Sequence, residues 1–588
     1  MKLTDQQRRA TGLPGHAYIE ACPGSGKTRV LAAKSIAESL LVEDSPRKVA
    51  CITFTNAAVD ELQFRLASQL NEQQLQSIEV CTIHSFCLSH IFKPFRFRLD
   101  SYANRFEIVS AEEDRARRLL SEIAQQLGFP APGQKVFEAF SQVNIDAQGN
   151  PVISGIDHLL CRCMPRYWEE CRKRGWIDFS LLLYESLSII QRFKEVPRSL
   201  SAKFRAVLVD EFQDTSEIQL AILEQIQAAG ESTFFLVGDP HQSIYRFAGA
   251  SPEAAAQFVD AIAADKSCPL YGNFRSSNEI VTMADRLMPR SPTMEAIGDN
   301  ACKGIGAEVF KSSSMAQSVV EHFVPQVSRS GLQLGSCAVL AAWWVDLLPI
   351  ARACTQAGIP VVGPGARPYR RGRLIVPLLE NLAAASTSSM ALASTQRALT
   401  RALIELGSNG AEEAGQGWAG RLMALMIQQE AQALLCGAPD AIAWIGTMGA
   451  SVDQILGQHG IDSQHAFQMS ANEVIADLRI RESSGHLDLS KITISGLGLF
   501  ANPERALKLL TVHASKGREF EAVAVVGMNE GRFPHFSAKT EAEIEDGRRS
   551  AYVALTRAKR LLSVYVDTSD SRNPASRFLN EMRGAQRS

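Results

Sequence analysis

No stretch of the 588-residue chain strings together the roughly 18 apolar residues that a membrane-crossing helix needs. The polar opening MKLTDQQRRATG also lacks the apolar heart of a secretory signal. A membrane-spanning or exported protein is therefore not expected. Cysteine is present without a framework: twelve residues are scattered irregularly, and Cys22 sits inside a glycine-rich loop. This excludes a secreted disulfide scaffold and points to a reducing, cytoplasmic setting. Cys161, Cys163 and Cys171 come close together but lack a fourth ligand at zinc-like spacing, so a thiolate metal site is not expected. An excess of one charge is missing too, with 61 Lys and Arg against 63 Asp and Glu and a net charge of −2. Any nucleic-acid site must then be a local groove rather than a basic surface. No solenoid-type repeat is visible.

Apolar content of 46% and charged content of 21% are those of an ordinary globular protein. The length predicts roughly three or four domains. Four segments stand out in order: ACPGSGKT at 21–28, VDEFQDT at 209–215, VGDPHQSIY at 237–245 and VALTRAK at 553–559. Residues 16–22 read as a strand ending at the loop, and TRVLAAKSIAESLL repeats apolar residues at helical spacing. In a strand–loop–helix of this kind Gly24, Ser25 and Gly26 let backbone amides wrap phosphate oxygens, and the helix N-terminus adds positive potential. Lys27 then reaches the β- and γ-phosphates and Thr28 offers its hydroxyl to Mg²⁺, with Arg29 counted in the same nucleotide-binding set. Ala21 stands where a glycine usually opens such a loop.

Asp210 and Glu211 follow the apolar run AVLV, at the sheet edge where open α/β folds bind ligands. Asp210 suits a Mg²⁺ contact and Glu211 suits activation of the attacking water. Gln242 follows another strand end and reads as a γ-phosphate sensor. Arg275 and Arg557 are candidates for stabilising the charge that phosphoryl transfer develops. Each has a plainer reading: a solvated acidic turn, a surface glutamine, salt-bridged arginines. Their order along one chain favours an NTP-driven motor.

VACITFT, FRAVLVD and FFLVGD read as further strands of the first sheet, and CAVLAA (337–342), LKLLTVHA (507–514) and EAVAVVG (521–527) as strands of a second. Between them lie two mainly helical stretches. The expected fold is α/β, with two parallel-sheet domains each carrying a helical insertion. The first domain covers 1–90 and 179–275 with its insertion at 91–178. The second covers 276–374 and 499–588 with its insertion at 375–498. The small-residue stretch AAASTSSMALAST (383–395) falls between helical patterns in that second insertion.

These segments resemble superfamily 1 helicases of the UvrD/Rep/PcrA type nearly end to end. LTDQQ (3–7) looks like the family's glutamine motif, which implies Gln7 at the adenine edge. TFTNAAVDEL (53–62) and TIHSF (82–86) look like its two single-strand-contacting segments. LTVHASKGREF (510–520) resembles the motif whose glutamate, here Glu519, contacts ribose; GMNEGRFP, RRSAYVALTRAK and PASRFL resemble the closing signatures. The resemblance implies two RecA-like motor domains around ATP and Mg²⁺, with Arg275 and Arg557 contributed by the second. It further implies stacking of bases on Phe54, Tyr245 and Phe247, and polar contacts from Thr55, Asn56, His84, Thr511 and His513. Without the family, Phe54 would read as a core strand residue and the two histidines as structural.

Three positions depart from the pattern. Ala57 stands for a usual lysine, Ala248 for a usual arginine with Arg246 nearby, and Arg518 for an apolar residue in KGREF. The second insertion looks short, and the chain ends soon after PASRFL without the family's tail. Two basic stretches outside the motifs, 161–176 and RPYRRGR (367–373), read either as phosphate contacts or as solvated faces. The function implied is an ATP-dependent DNA helicase or translocase acting on single-stranded and tailed duplex DNA, with 3′-to-5′ polarity. Two alternatives stay open: a DNA-gated ATPase that senses without unwinding, and the motor of a helicase–nuclease with a separate partner nuclease. The lean, tail-less form resembles helicases encoded beside a nuclease in bacterial anti-phage systems such as Gabija.

Overall fold

A computed structural model describes residues 2–153, 158–370, 372, 374–387, 392–406, 415, 417–437, 440–484, 487–569 and 571–584. Residues 388–391 of the small-residue stretch, and Arg371 and Arg373 of RPYRRGR, lie outside the described residues. The chain packs as two units. The first comprises Met1–Gly304, Lys539–Thr556 and Glu581–Ser588; the second comprises Ile305–Ala538 and Arg557–Asn580.

Unit 1 opens with α1 (Asp5–Thr11), nucleated by a capping box between Thr4 and Gln7. A five-stranded parallel sheet follows: β1 (Ala17–Glu20), β2 (Lys48–Thr53), β3 (Ile78–Thr82), β4 (Phe204–Val209) and β5 (Thr233–Gly238). The order across the sheet is β1-β5-β4-β2-β3. Its central strands are apolar and buried on both faces, as a helix-covered parallel sheet requires. The register pairs Glu20 with Gly238, Ile52 with Val209 and Val209 with Leu236. Ala21, Asp210 and Asp239 therefore leave the sheet at one edge. Helix α2 (Lys27–Leu40) follows β1, and α3 (Asn56–Ala67) follows β2.

The helical stretch between β3 and β4 shares one core with the sheet, which runs from Ile52 and Phe204 to Tyr167 and Trp168. Within it α4 (His158–Arg174) buries Cys163, Met164, Tyr167, Trp168 and Cys171, while Cys161 is exposed. Three of its cations face carboxylates, with Arg172 at 2.6 Å from Glu185, Lys173 at 2.9 Å from Glu169 and Arg174 at 3.6 Å from Glu170. Helix α5 (Phe179–Arg192) begins where Asp178 caps the amide of Leu181.

Unit 2 holds a six-stranded parallel sheet of β6 (Gly306–Ser312), β7 (Cys337–Ala341), β8 (Val361–Val362), β9 (Leu507–Thr511), β10 (Phe520–Val526) and β11 (Ala558–Asp567), in the order β6-β11-β10-β7-β9-β8. Helix α6 (Leu347–Gln356) packs in its core. Between β8 and β9, helices α7 (Val376–Thr387), α8 (Leu392–Leu406), α9 (Gly417–Gly437), α10 (Ala441–Gln458) and α11 (Ala466–Ser483) build a separate apolar core around Trp444 and Leu456. The entry to this bundle is tied down. Arg367 pairs with Glu380 at 2.7 Å and lies over Phe500, and Asp477 accepts the amide of Arg370. Arg367 is thus engaged with the bundle, while the Arg370 guanidinium stays 89% exposed, 3.7 Å from Asp477.

Helix α12 (Glu541–Leu555) was expected with the second sheet but packs in unit 1. Its Arg548 is buried against Glu581, with an Nε–Oε2 distance of 2.8 Å. Among the described residues, no helix is long and apolar enough to cross a membrane.

Candidate functional site

The loop between β1 and α2 turns through Gly24 (φ 70°) and Gly26 (φ 84°), conformations that favour glycine. A Cβ on Gly24 would come within 2.6 Å of the Arg275 Cβ, and one on Gly26 within 2.7 Å of the Gln7 Nε2. Both glycines are needed for close approach. Gln7 is buried, with its Oε1 accepting from the Thr4 amide and its Nε2 donating to the Ser25 carbonyl at 2.9 Å. It braces the loop in this structure. Ser25 Oγ is buried without a hydrogen-bond partner among the described residues.

Lys27 Nζ lies 3.0 Å from Glu211 Oε2. Burial works against its charge, but Glu211, Asp239 and Asp210 outweigh that and hold the ammonium above its usual pKa. Glu211 adopts φ 48°, a strained position for a side chain of this size, and also accepts from Gln213 Nε2 at 2.6 Å. Asp210 is buried; its carboxyl is pushed up to about 7, chiefly by burial and then by the Glu211 charge. A cation beside Asp210 would reverse that shift. The Thr28 hydroxyl and the Asp210 carboxylate are oxygen donors of the hard type that Mg²⁺ prefers, and the unsatisfied Ser25 hydroxyl fits a loop built around phosphate.

Asp239 is fully buried, yet its carboxyl is held below the usual range. Burial opposes this, while Arg290, Lys27 and His241 and the amide of Gln242 favour the charged form. Gln242 Nε2 donates to Asp239 Oδ2 at 2.7 Å. Arg275 belongs to unit 1 rather than to the second sheet domain that the resemblance implied: the Phe274 amide donates to the Gly24 carbonyl at 2.8 Å, which seats Arg275 on the glycine loop. Its Nη1 donates to the Thr556 carbonyl at 3.1 Å.

Beside β2 and β3 a cavity of about 550 Å³ gathers Phe54, Thr55, Asn56, His84 and Phe247 from three separated segments. Phe54 lies beyond the end of β2 and is 40% exposed, so it is not a core strand residue. Its ring stacks on Tyr245 at 5.4 Å and 20°. His84 meets Phe179 edge-on at 5.8 Å, and burial pushes its pKa down. Thr55 is the N-cap of α3, accepting from the Ala58 amide. Ala248 lines the cavity, and Ala57 is exposed on α3. Phe179 and Asn144 line it as well, and neither was singled out in the sequence. Phe179 is 53% exposed at the start of α5, off the buried stripe of that helix.

Four predicted residues lie in unit 2. Thr511 ends β9 and caps the turn that carries His513, Glu519 pairs with Lys559 at 2.9 Å, and buried Arg557 donates to the Arg518 carbonyl at 3.2 Å.

Comparison with known proteins fits this geometry. The UvrD/REP helicase N-terminal domain matches residues 3–262, and the UvrD-like helicase C-terminal domain matches residues 490–568. DNA helicase II of Salmonella typhimurium strain LT2 is 27% identical over 99% of this chain and 87% of its own length. ATP-dependent DNA helicase UvrD1 of Mycobacterium tuberculosis strain H37Rv is 25% identical over 99% and 85%. ATP-dependent DNA helicase Rep of Buchnera aphidicola is 23% identical over 97% and 94%. With both family domains matched in order, relatives aligned along almost the whole chain and two parallel-sheet units of the RecA-like kind, the chain belongs to the UvrD-like helicase family.

Proposed function

We propose that this chain is an ATP-dependent DNA helicase that moves on single-stranded DNA, 3′ to 5′, and couples hydrolysis to strand separation. One observation carries the reading: a phosphate loop with an adjacent acid pair and an aromatic-lined cavity are both built on the same five-stranded sheet. The loop amides and Lys27 bind the phosphates. Thr28 and Asp210 would hold Mg²⁺, which shields the triphosphate charge when bound. Glu211 takes the proton of the attacking water, and Gln242 reports the γ-phosphate. Arg275 stabilises charge from beside the loop. Arg557, Glu519 and Gln7 keep the roles implied by the family, and Arg29 stays with the nucleotide set. Phe54, Tyr245 and Phe247 stack bases, while Thr55, Asn56, His84, Thr511 and His513 make polar contacts along the strand. A cytoplasmic location and the motif-based domain boundaries belong to the same reading.

The test is strand displacement from a 3′-tailed duplex, run beside ATP hydrolysis with and without single-stranded DNA. Displacement that requires ATP and a 3′ tail is the expected result. DNA-stimulated hydrolysis without displacement or translocation would instead assign a sensor, a reading that Ala57 and Ala248 favour because neither offers a cation to the strand.

A further inference from the structure

Helix α12 reaches both halves of the chemistry in unit 1. Asp546 Oδ2 forms an ion pair with Arg246 Nε at 3.2 Å, and Arg246 stands in sequence between Tyr245, which stacks on Phe54, and Phe247, which lines the aromatic cavity. Arg246 also pairs with Glu253 at 2.6 Å, so two carboxylates hold it. Roughly two turns further along the helix, the Tyr552 hydroxyl accepts from Arg290 Nη2 at 2.7 Å. The same Nη2 donates to Asp239 Oδ1 at 3.1 Å and lies 3.2 Å from His241 Nδ1. The other oxygen of Asp239 holds the Gln242 amide. Where the helix ends, the Thr556 carbonyl takes the Arg275 guanidinium from the glycine loop.

Asp239 and Tyr552 are wholly buried, and the Arg290 side chain is 5% exposed. Arg290 Nε is buried without a hydrogen-bond partner among the described residues. A buried ion pair left partly unsatisfied is poor value for stability alone, because desolvation offsets its attraction. It suits a node with two arrangements, and this one joins a cavity rim to a phosphate sensor through a single helix.

We propose that α12, through Asp546 at one point and Tyr552–Arg290 at another, carries occupancy of the aromatic cavity to the Asp239–Gln242 pair, so that bound single-stranded DNA sets the sensing amide for hydrolysis. The proposal rests on the helicase reading above. Asp546, Tyr552 and Arg290 are positioning residues that act through Arg246 and Asp239. Linkage makes the coupling reciprocal: a nucleotide analogue changes DNA affinity by the factor by which DNA changes analogue affinity.

Tyr552→Phe removes one hydroxyl, and Asp546→Asn one charge. Full-length wild type, both variants and the double variant would be measured for hydrolysis with and without oligothymidylate. Oligothymidylate affinity would be measured with and without AMP-PNP, and thermal midpoints alongside. The expected result is that each variant keeps its midpoint, its DNA-free hydrolysis and its nucleotide-free DNA affinity within about twofold. Stimulation by DNA and the AMP-PNP effect on DNA affinity both drop by about fivefold or more, the lower end of ordinary site-to-site coupling. The double variant falls no lower than the weaker single one. Undiminished stimulation in both single variants, independent losses that multiply in the double variant, or a parallel fall in DNA-free hydrolysis would each overturn the coupling. Wild-type hydrolysis indifferent to DNA would overturn the helicase reading beneath it.

Discussion

Glu211 Oε2 accepts from both Lys27 at 3.0 Å and Gln213 at 2.6 Å, on a backbone turned to φ 48°. Glu211→Gln keeps that shape but cannot take a proton. Its kcat for ATP is expected to fall about 10²- to 10⁴-fold with KM nearly unchanged, read from steady-state hydrolysis. Lys27→Ala removes the ammonium that neutralises the acid pair, so nucleotide affinity itself should drop, which a fluorescent ATP analogue would report. Asp210 offers a test with opposite signs for stability and activity. Its carboxyl is raised to about 7 in the folded chain, so between the ordinary carboxylate range and 7 the folded state holds a proton that the unfolded state lacks. Stability therefore declines as pH rises through that window, and the cost is complete above 7. Asp210→Asn should raise the thermal midpoint of the nucleotide- and metal-free protein at pH 8, with the gain closing toward pH 4, while hydrolysis is lost. A midpoint gain that is independent of pH would refute the assignment.

At the scale of elements, the cavity depends on where strands stop. β2 ends at Thr53, so Phe54 escapes the sheet and meets Tyr245 face to face. Phe179→Ala is expected to weaken single-strand binding by about 1–3 kcal/mol, as Phe54→Ala should, measured by anisotropy of a labelled oligonucleotide. The order of motifs made the nucleotide loop and the acid pair legible, because the chemistry fixes residue type and spacing there, whereas Phe54 was legible only through the family resemblance. Phe179 and Arg290 were not legible: one is a single aromatic at a helix start, the other an arginine in a loop, and only tertiary packing gives either a partner. The strands β3, β6 and β11 escaped for a different reason. IEVCT, GAEVFKS and AKRLLSVYVD carry charged or polar residues that break a buried run, since edge strands and strand ends meet solvent. Arg172 and Arg367 of the two basic stretches looked free in one dimension, and their carboxylate partners, Glu185 and Glu380, came from neighbouring helices.

At the scale of the whole molecule, a net charge of −2 means that grip on DNA comes from a groove, not from a basic exterior. Affinity for single strands should then fall with salt along a shallow slope, reflecting few released counterions, as a titration from low to high KCl would measure. The parts also fold back on one another along the chain. Unit 1 is assembled from Met1–Gly304 together with Lys539–Thr556 and Glu581–Ser588, and the latter segments supply Tyr552 to Arg290 and Glu581 to Arg548. Synthesis from the amino terminus therefore leaves Arg290, already paired with Asp239, without the Tyr552 hydroxyl until the intervening Ile305–Ala538 segment of unit 2 has been made.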